Sequence, residues 1–181
     1  FKHQKFQSDA SRAVVEAFRG QPLQDAFAYR MDMGTGKIQL DQGFRNHDIQ
    51  LNDETLTNNI REIQIGQNLE PIDKVKRDAN NTLSLSIEME TGTGKTYTYI
   101  KTIYELYKHY GWTKFIIVVP SVAIREGVIK SLETMADHFA EEYGERMQHF
   151  VYDSSRLTAI DQFASDSKIH VMVINTQAFN A

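Results

Sequence analysis

Hydrophobic patterning divides the chain near residue 82. Beyond that point, short unbroken apolar runs alternate with longer stretches of helical periodicity. Phe115-Ile-Ile-Val-Val119 and Val171-Met-Val-Ile174 are β-branched and continuous, as strands buried on both faces tend to be. With two weaker apolar runs they predict strands at 83–88, 114–119, 148–152 and 169–174. Helices are predicted between them at about 95–109, 123–143 and 156–165, with Asp153, Ser154 and Ser155 as cap candidates for the last. Strands alternating with helices imply an α/β fold whose parallel sheet is flanked by helices. Right-handed crossovers then place the ligand-binding edge at the C-terminal ends of the strands.

Before residue 82 the pattern is different. Ala10, Ala13, Val14, Ala17 and Phe18 share one face of a helix over 8–19, which Gly20 and Pro22 close. Two alternating segments, 26–33 and 37–41, flank Gly34-Thr35-Gly36 and predict an antiparallel hairpin. Asn52-Asp53-Glu54-Thr55 caps a short helix to about Arg61, and the polar run 74–81 ends in a turn at Asn80-Asn81. The stretch from about 21 to 81 therefore reads as a mixed β and loop insertion ahead of the sheet.

The chemistry concentrates in Met89-Glu90-Thr91-Gly92-Thr93-Gly94-Lys95-Thr96, between the apolar run 83–87 and the helical run 97–107. Strand, glycine turn and helix in succession make a phosphate-binding loop, because glycine backbone N–H groups and a helix N-terminus both point at an anion. In that reading Lys95 reaches the β/γ-phosphates and the Thr96 hydroxyl ligates Mg2+. Thr91, Gly92, Thr93 and Gly94 line the loop, while the Glu90 carboxylate must point away from the phosphates. The strict pattern has glycine where this chain has Met89, so the G-x-G-K-T core carries the assignment. Met33-Gly-Thr-Gly-Lys37 mimics it, but Ile38 replaces the hydroxyl residue and no helix follows.

Hydrolysis would also need a carboxylate at a strand end to hold the metal. Asp153 is the one acid directly after an apolar run, and its neighbours Ser154 and Ser155 favour a capping role. The chain is therefore expected to bind nucleotide weakly and to hydrolyse it poorly or not at all. Ser121, Arg125 and Gly127 after one strand, and Asn175, Thr176 and Gln177 after another, offer hydroxyls, amides and helix N-termini suited to a phosphate backbone. Each has a plainer role as a cap or loop residue. The tyrosines at 97, 99, 104, 107 and 110 read as helix packing, and the six histidines lack metal-ligand spacing.

Composition narrows the field modestly. The 181 residues are 41% apolar and 24% charged with net charge −4, ordinary for a soluble domain with a sizeable core. Overall charge neither demands nor excludes nucleic acid. No cysteine is present, which removes disulfides, thiolate nucleophiles and cysteine zinc sites. No run approaches the ~18 apolar residues of a membrane span, so a cytoplasmic setting without membrane contact is expected. Phe1 at the start and Asn180-Ala181 just after an apolar run suggest a piece of a longer protein.

These pieces resemble the first motor domain of a superfamily-two helicase, and most specifically the restriction (Res) subunit of Type III restriction-modification enzymes. Glu90 to Thr96 is similar to that family's phosphate loop, where the first glycine is commonly absent. Val119-Pro120-Ser121-Val-Ala-Ile-Arg125-Glu126-Gly127 and Ile174-Asn175-Thr176-Gln177-Ala178-Phe179 are similar to its next two motor motifs. Phe1-Lys-His3-Gln4 resembles its opening box, in which Gln4, or failing that Gln7, would read adenine. The resemblance implies a partial RecA-like P-loop NTPase domain over 1–181, truncated before its acidic box and carrying the 21–81 insertion. It further implies ATP and Mg2+ as cofactors, and double-stranded DNA and a modification (methyltransferase) subunit as partners. The whole enzyme would be an ATP-dependent, DNA-translocating endonuclease. Another superfamily-two helicase, a Type I restriction motor subunit, a small-molecule kinase or an inactive nucleotide-binding scaffold are the alternatives.

Overall fold

Helix α1 (Lys5–Ala17) starts three residues earlier than its apolar face requires. The extra turn is held on its exposed side by Asp9, which pairs with Lys5 at 3.1 Å and Arg12 at 2.6 Å. Val15 and Ala17 are buried, and Gly20 at φ +97° turns the chain out of the helix. The computed structural model describes residues 4–23, 45–155 and 157–179. By their contacts these form two compact units, one of 4–22 with 48–105 and one of 23, 45–47 and 106–179. The expected hairpin at 26–41, the mimic loop at 33–37 and residues 1–3 lie outside the described residues.

In the first unit, helix α2 (Asp53–Gly66) is capped by the Asn52 side chain, which accepts from the Thr55 N–H at 2.8 Å. Asp53 and Glu54 in its first turn suit the positive end of the helix dipole. It runs past the expected end near Arg61 because no breaker intervenes before Gly66. Leu56 is fully buried, and the buried Asn59 amide donates to the carbonyls of Ala17 at 3.2 Å and Arg19 at 2.9 Å. One side chain of α2 thus closes the open end of α1. The Arg61 guanidinium donates to the Ile72 and Asp73 carbonyls at 2.8 and 2.6 Å, fastening the following strap. A turn at 78–82 forms around the Asp78 carboxylate, with Asn81 at φ +64°.

The expected strand at 83–88 does not form. Among the described residues its pairing is a single antiparallel bridge from Leu83 to Arg77, and Leu85 and Ile87 are 40% and 49% exposed. A strand is stable only where a neighbour takes up its N–H and C=O groups, and among the described residues no ladder does so. Helix α3 (Lys95–Tyr110) follows the glycine loop, with Tyr97, Ile100 and Tyr104 buried.

The second unit holds the sheet. Strand β1 (Lys114–Val119), helix α4 (Val122–Tyr143), strand β2 (Gln148–Val151), helix α5 (Leu157–Ser165) and strand β3 (His170–Asn175) follow in order, then a short 3-10 turn at Thr176–Phe179. All three strands are parallel in the order β1-β3-β2. Central β3 is buried at every position but the half-buried Met172, with Val171 and Val173 fully inaccessible, which explains its unbroken apolar sequence. Val128, Leu132, Met135 and Phe139 form the buried face of α4, whose end is set by Gly144 at φ +75°. Asn46 clamps the start of β1, accepting from the Thr113 and Lys114 N–H groups and donating to the Lys114 carbonyl at 2.6 Å. The fold is thus α/β with a parallel sheet flanked by helices. No described helix is long and apolar enough to cross a membrane.

Candidate functional site

In the first unit, the glycine loop turns into α3 through Gly92 at φ +79° and Gly94 at φ +84°, conformations that L side chains rarely adopt. Gly94 is constrained twice. A Cβ there would lie 2.3 Å from Gln7 Nε2, whereas one on Gly92 would meet open space. The Gln7 amide donates to the Thr93 carbonyl at 2.9 Å, so α1 is bonded to the crest of the loop. Gln4 stands exposed at the N-cap of α1 with no side-chain capping bond. Of the two glutamines, Gln7 is the one against the loop.

Three donors converge on a single oxygen. The Glu90 carbonyl accepts from the Thr93 hydroxyl at 2.6 Å, the Lys95 ammonium at 2.8 Å and the Thr93 N–H at 3.4 Å. A carbonyl carries only partial charge, and a convergence of hydroxyl, ammonium and amide donors is better matched by an anionic oxygen. No acidic residue occupies the first turn of α3 to oppose one. Glu90, Thr91, Gly92 and Lys95 are exposed, and Thr93, Gly94 and Thr96 are partly so.

Beside the loop lies a cavity of about 250 Å3, lined by Val14, Ile87, Met89 and Tyr99 together with Lys95, Thr98 and Thr102. Met89, which replaces the first glycine of the strict pattern, is part of this wall. Burial pushes the Tyr99 hydroxyl pKa up, and the nearby Thr96 side chain works against that rise. The two hydroxyls are close enough to interact, yet no hydrogen bond of ordinary geometry reaches Tyr99 Oη. Sequence patterning treated Tyr99 as packing. The signal available was its place three residues after Thr96, on the same helical face.

In the second unit, the predicted strand-end residues meet at the C-terminal edge of the sheet. The register pairs Val119 with Asn175, so the chain segments that follow run side by side. Thr176 Oγ1 donates to the Pro120 carbonyl at 3.3 Å, and Arg125 Nη1 donates to Asn175 Oδ1 at 3.2 Å. The rest of the guanidinium fork bonds Glu126 Oε1 at 2.9 and 3.2 Å. Ser121 is the α4 cap, accepting from the Ile124 N–H at 3.3 Å. Thr176 and Gln177 are exposed, and a Cβ on Gly127 would touch nothing. Asp153 accepts from the Ser155 N–H and hydroxyl at 2.9 and 2.6 Å, closing a local turn ahead of α5. Among the described residues no cluster of His, Asp or Glu could hold a metal by itself.

An α/β chain with a parallel sheet, a glycine loop opening a helix and polar residues gathered at the strand ends belongs to a recognisable class. Residues 44–181 match the family model described as Type III restriction enzyme, res subunit. The chain belongs to that family. It is 34% identical over 155 residues to the Type III restriction-modification enzyme EcoP15I Res subunit of Escherichia coli, covering 75% of this chain and 16% of that protein. The EcoPI Res subunit of Escherichia phage P1 is 36% identical over 148 residues, 72% of this chain and 15% of the relative. The StyLTI Res subunit of Salmonella typhimurium is 34% identical over 125 residues, 59% and 13% of the respective chains. The chain thus spans about a sixth of the relatives it matches.

Proposed function

We propose that residues 90–96 bind the phosphates of ATP with Mg2+, and that the chain is the opening part of a RecA-like, superfamily-two motor domain in a Type III restriction subunit. The observation that carries the reading is the convergence of the Thr93 N–H, Thr93 hydroxyl and Lys95 ammonium on the Glu90 carbonyl. An anionic phosphate oxygen competes well for donors now shared by a neutral carbonyl. The residues fit the group: Gly94 leaves the backbone bare, the first turn of α3 holds no acid, and Lys95 is exposed. Thr96 would contribute its hydroxyl to Mg2+, which neutralises the triphosphate when bound. Gln7, bonded to the crest of the loop, takes the adenine-reading role in preference to Gln4.

The described residues supply binding more fully than hydrolysis. Asp153, the acid at a strand end, is committed to the Ser155 turn, and the carboxylates of a hydrolytic centre fall to the longer polypeptide in which the relatives carry this region. DNA cleavage and association with a modification subunit belong to that longer polypeptide as well. For double-stranded DNA the contacting groups are the exposed Thr176 and Gln177, the open surface at Gly127 and the Arg125 fork steadied by Asn175. Ser121 contributes as the cap that presents the N-terminus of α4.

Calorimetric titration of Mg2+-ATP into the native chain and into Lys95→Ala tests the central assignment. The variant should lose about tenfold or more in affinity, as expected for a charge-assisted contact of about 1.5–3 kcal/mol. Equal affinity sinks it. Retention on DNA at low salt, released as salt rises, tests the strand-end edge separately.

A further inference from the structure

The Tyr99 hydroxyl is a buried polar atom that the binding chemistry above leaves unused. Its oxygen is closed off from solvent and makes no hydrogen bond, although the side chain lies at the root of the glycine loop on the wall of the cavity beside Lys95. Buried polar groups are ordinarily hydrogen-bonded, and this one has no partner. Long side chains in helices lean back toward the N-terminus and cover the preceding turn. For Tyr99 that turn carries Thr96, three residues earlier on the same face. We infer that Tyr99 is a positioning residue for Thr96. With Mg2+ on the loop, the Thr96 O–H donates to Tyr99 Oη, which fixes the χ1 rotamer of Thr96 and aims an oxygen lone pair at the metal.

The direction of the bond follows from the chemistry. A hydroxyl that gives a lone pair to a cation becomes a stronger donor, and an acceptor behind it holds the ligand in orientation. The Tyr99 hydroxyl is closed to solvent, while Thr96 at the other end of the contact is partly exposed. Val14, Ile87 and Met89 give the cavity beside it apolar surface, shared with Lys95, Thr98 and Thr102, and Thr96 is the hydroxyl that interacts with Tyr99. Tyr99 touches neither phosphate nor metal in this scheme, and acts only through Thr96.

The inference rests on the nucleotide-binding reading, and one experiment separates the two. ATP affinity is measured against Mg2+ concentration, starting from excess chelator, for the native chain, Tyr99→Phe and Lys95→Ala. Tyr99→Phe should match the native chain without Mg2+ and require about tenfold more Mg2+ for half-maximal enhancement, the usual cost of removing a ligand's supporting partner. Its melting temperature should stay level or rise, because an unpaired buried hydroxyl is gone. An unchanged Mg2+ midpoint in Tyr99→Phe overturns the positioning role, whatever happens to the melting temperature. A native chain without Mg2+-dependent ATP binding, or one equalled by Lys95→Ala, overturns the parent reading and the inference together.

Discussion

Gln7 and Gly94 are in direct contact: the Gln7 amide lies 2.3 Å from where a Cβ on Gly94 would stand and donates to the Thr93 carbonyl at 2.9 Å. A residue in the first turn of α1 therefore shapes a loop more than eighty positions later. Gln7→Ala removes the bond from α1 and leaves the crest of the loop held by its own bonds to Glu90 and by α3. A hydrogen bond of about 1 kcal/mol corresponds to a loss of several-fold in nucleotide affinity. Gln4→Ala should leave affinity unchanged, since Gln4 is exposed and makes no capping bond. Titrating both variants with Mg2+-ATP checks the contrast, and a larger effect from Gln4 refutes it.

Alanine at the two loop glycines should separate backbone strain from packing. Gly92→Ala meets only the left-handed backbone, φ +79° with free space around the Cβ; the expected cost is about 1–2 kcal/mol. Gly94→Ala adds the collision with Gln7 to a similar φ of +84°. The collision is with the end of a flexible side chain, so it displaces the amide and breaks the bond to Thr93. Gly94→Ala should cost more than Gly92→Ala in urea unfolding. Gln7→Ala in the Gly94→Ala background should then cost almost nothing further, a non-additivity expected of residues in contact.

Asn59 joins α1 to α2 through two donated bonds and one accepted from Arg19 Nη2 at 3.2 Å. The side chain is buried, 5% exposed, so truncation strands the Ala17 and Arg19 carbonyls. Asn59→Ala should destabilise by about 1–3 kcal/mol. Glu62→Ala removes the exposed partner of Arg19, 2.6 Å away, and should change stability by less than about 1 kcal/mol. Denaturant midpoints for the pair test whether burial, and not the number of bonds to Arg19, sets the cost.

The strands of the sheet were legible because each carries its own signal. The runs 115–119 and 171–174 are apolar on successive positions, and central β3 needs apolar residues on both faces. The strand expected at 83–88 has alternating leucines and isoleucine, but its pairing depends on a neighbour that no local pattern specifies. The turn into a helix at Lys95 was legible from the two glycines before it. The contact from Gln7 was not, because which of two glutamines meets the loop depends on how α1 lies against it. Asn46 was equally invisible: its three bonds to the backbone at 113–114 require a fold-dependent meeting of residues nearly seventy positions apart. Tyr99 sits in a helical pattern where any large residue would satisfy the periodicity.

The base of the sheet should make stability depend on pH. His170 is 6% exposed, packed edge-on against Phe150 and beside Phe163, and its Nδ1 has no hydrogen-bond partner. Burial holds its pKa below the ordinary histidine value of 6.5; Lys114 on β1 and His149 on β2 push the same way, and Asp166 after α5 opposes them. His149 is shifted down by burial too, against the pull of Glu133 on α4. Both rings are thus neutral in the folded chain over a range where the unfolded chain has begun to take up protons. Their contribution is complete above pH 6.5 and is lost progressively as pH falls below it. Thermal unfolding from pH 8 down to pH 5 should show a falling melting temperature once pH 6.5 is passed. His170→Phe keeps an aromatic ring against Phe150 and Phe163, removes the unpaired nitrogen and cannot be protonated. The variant should be at least as stable as the native chain at pH 8 and show a shallower decline toward pH 5. A decline as steep as the native one would place the pH sensitivity elsewhere in the chain.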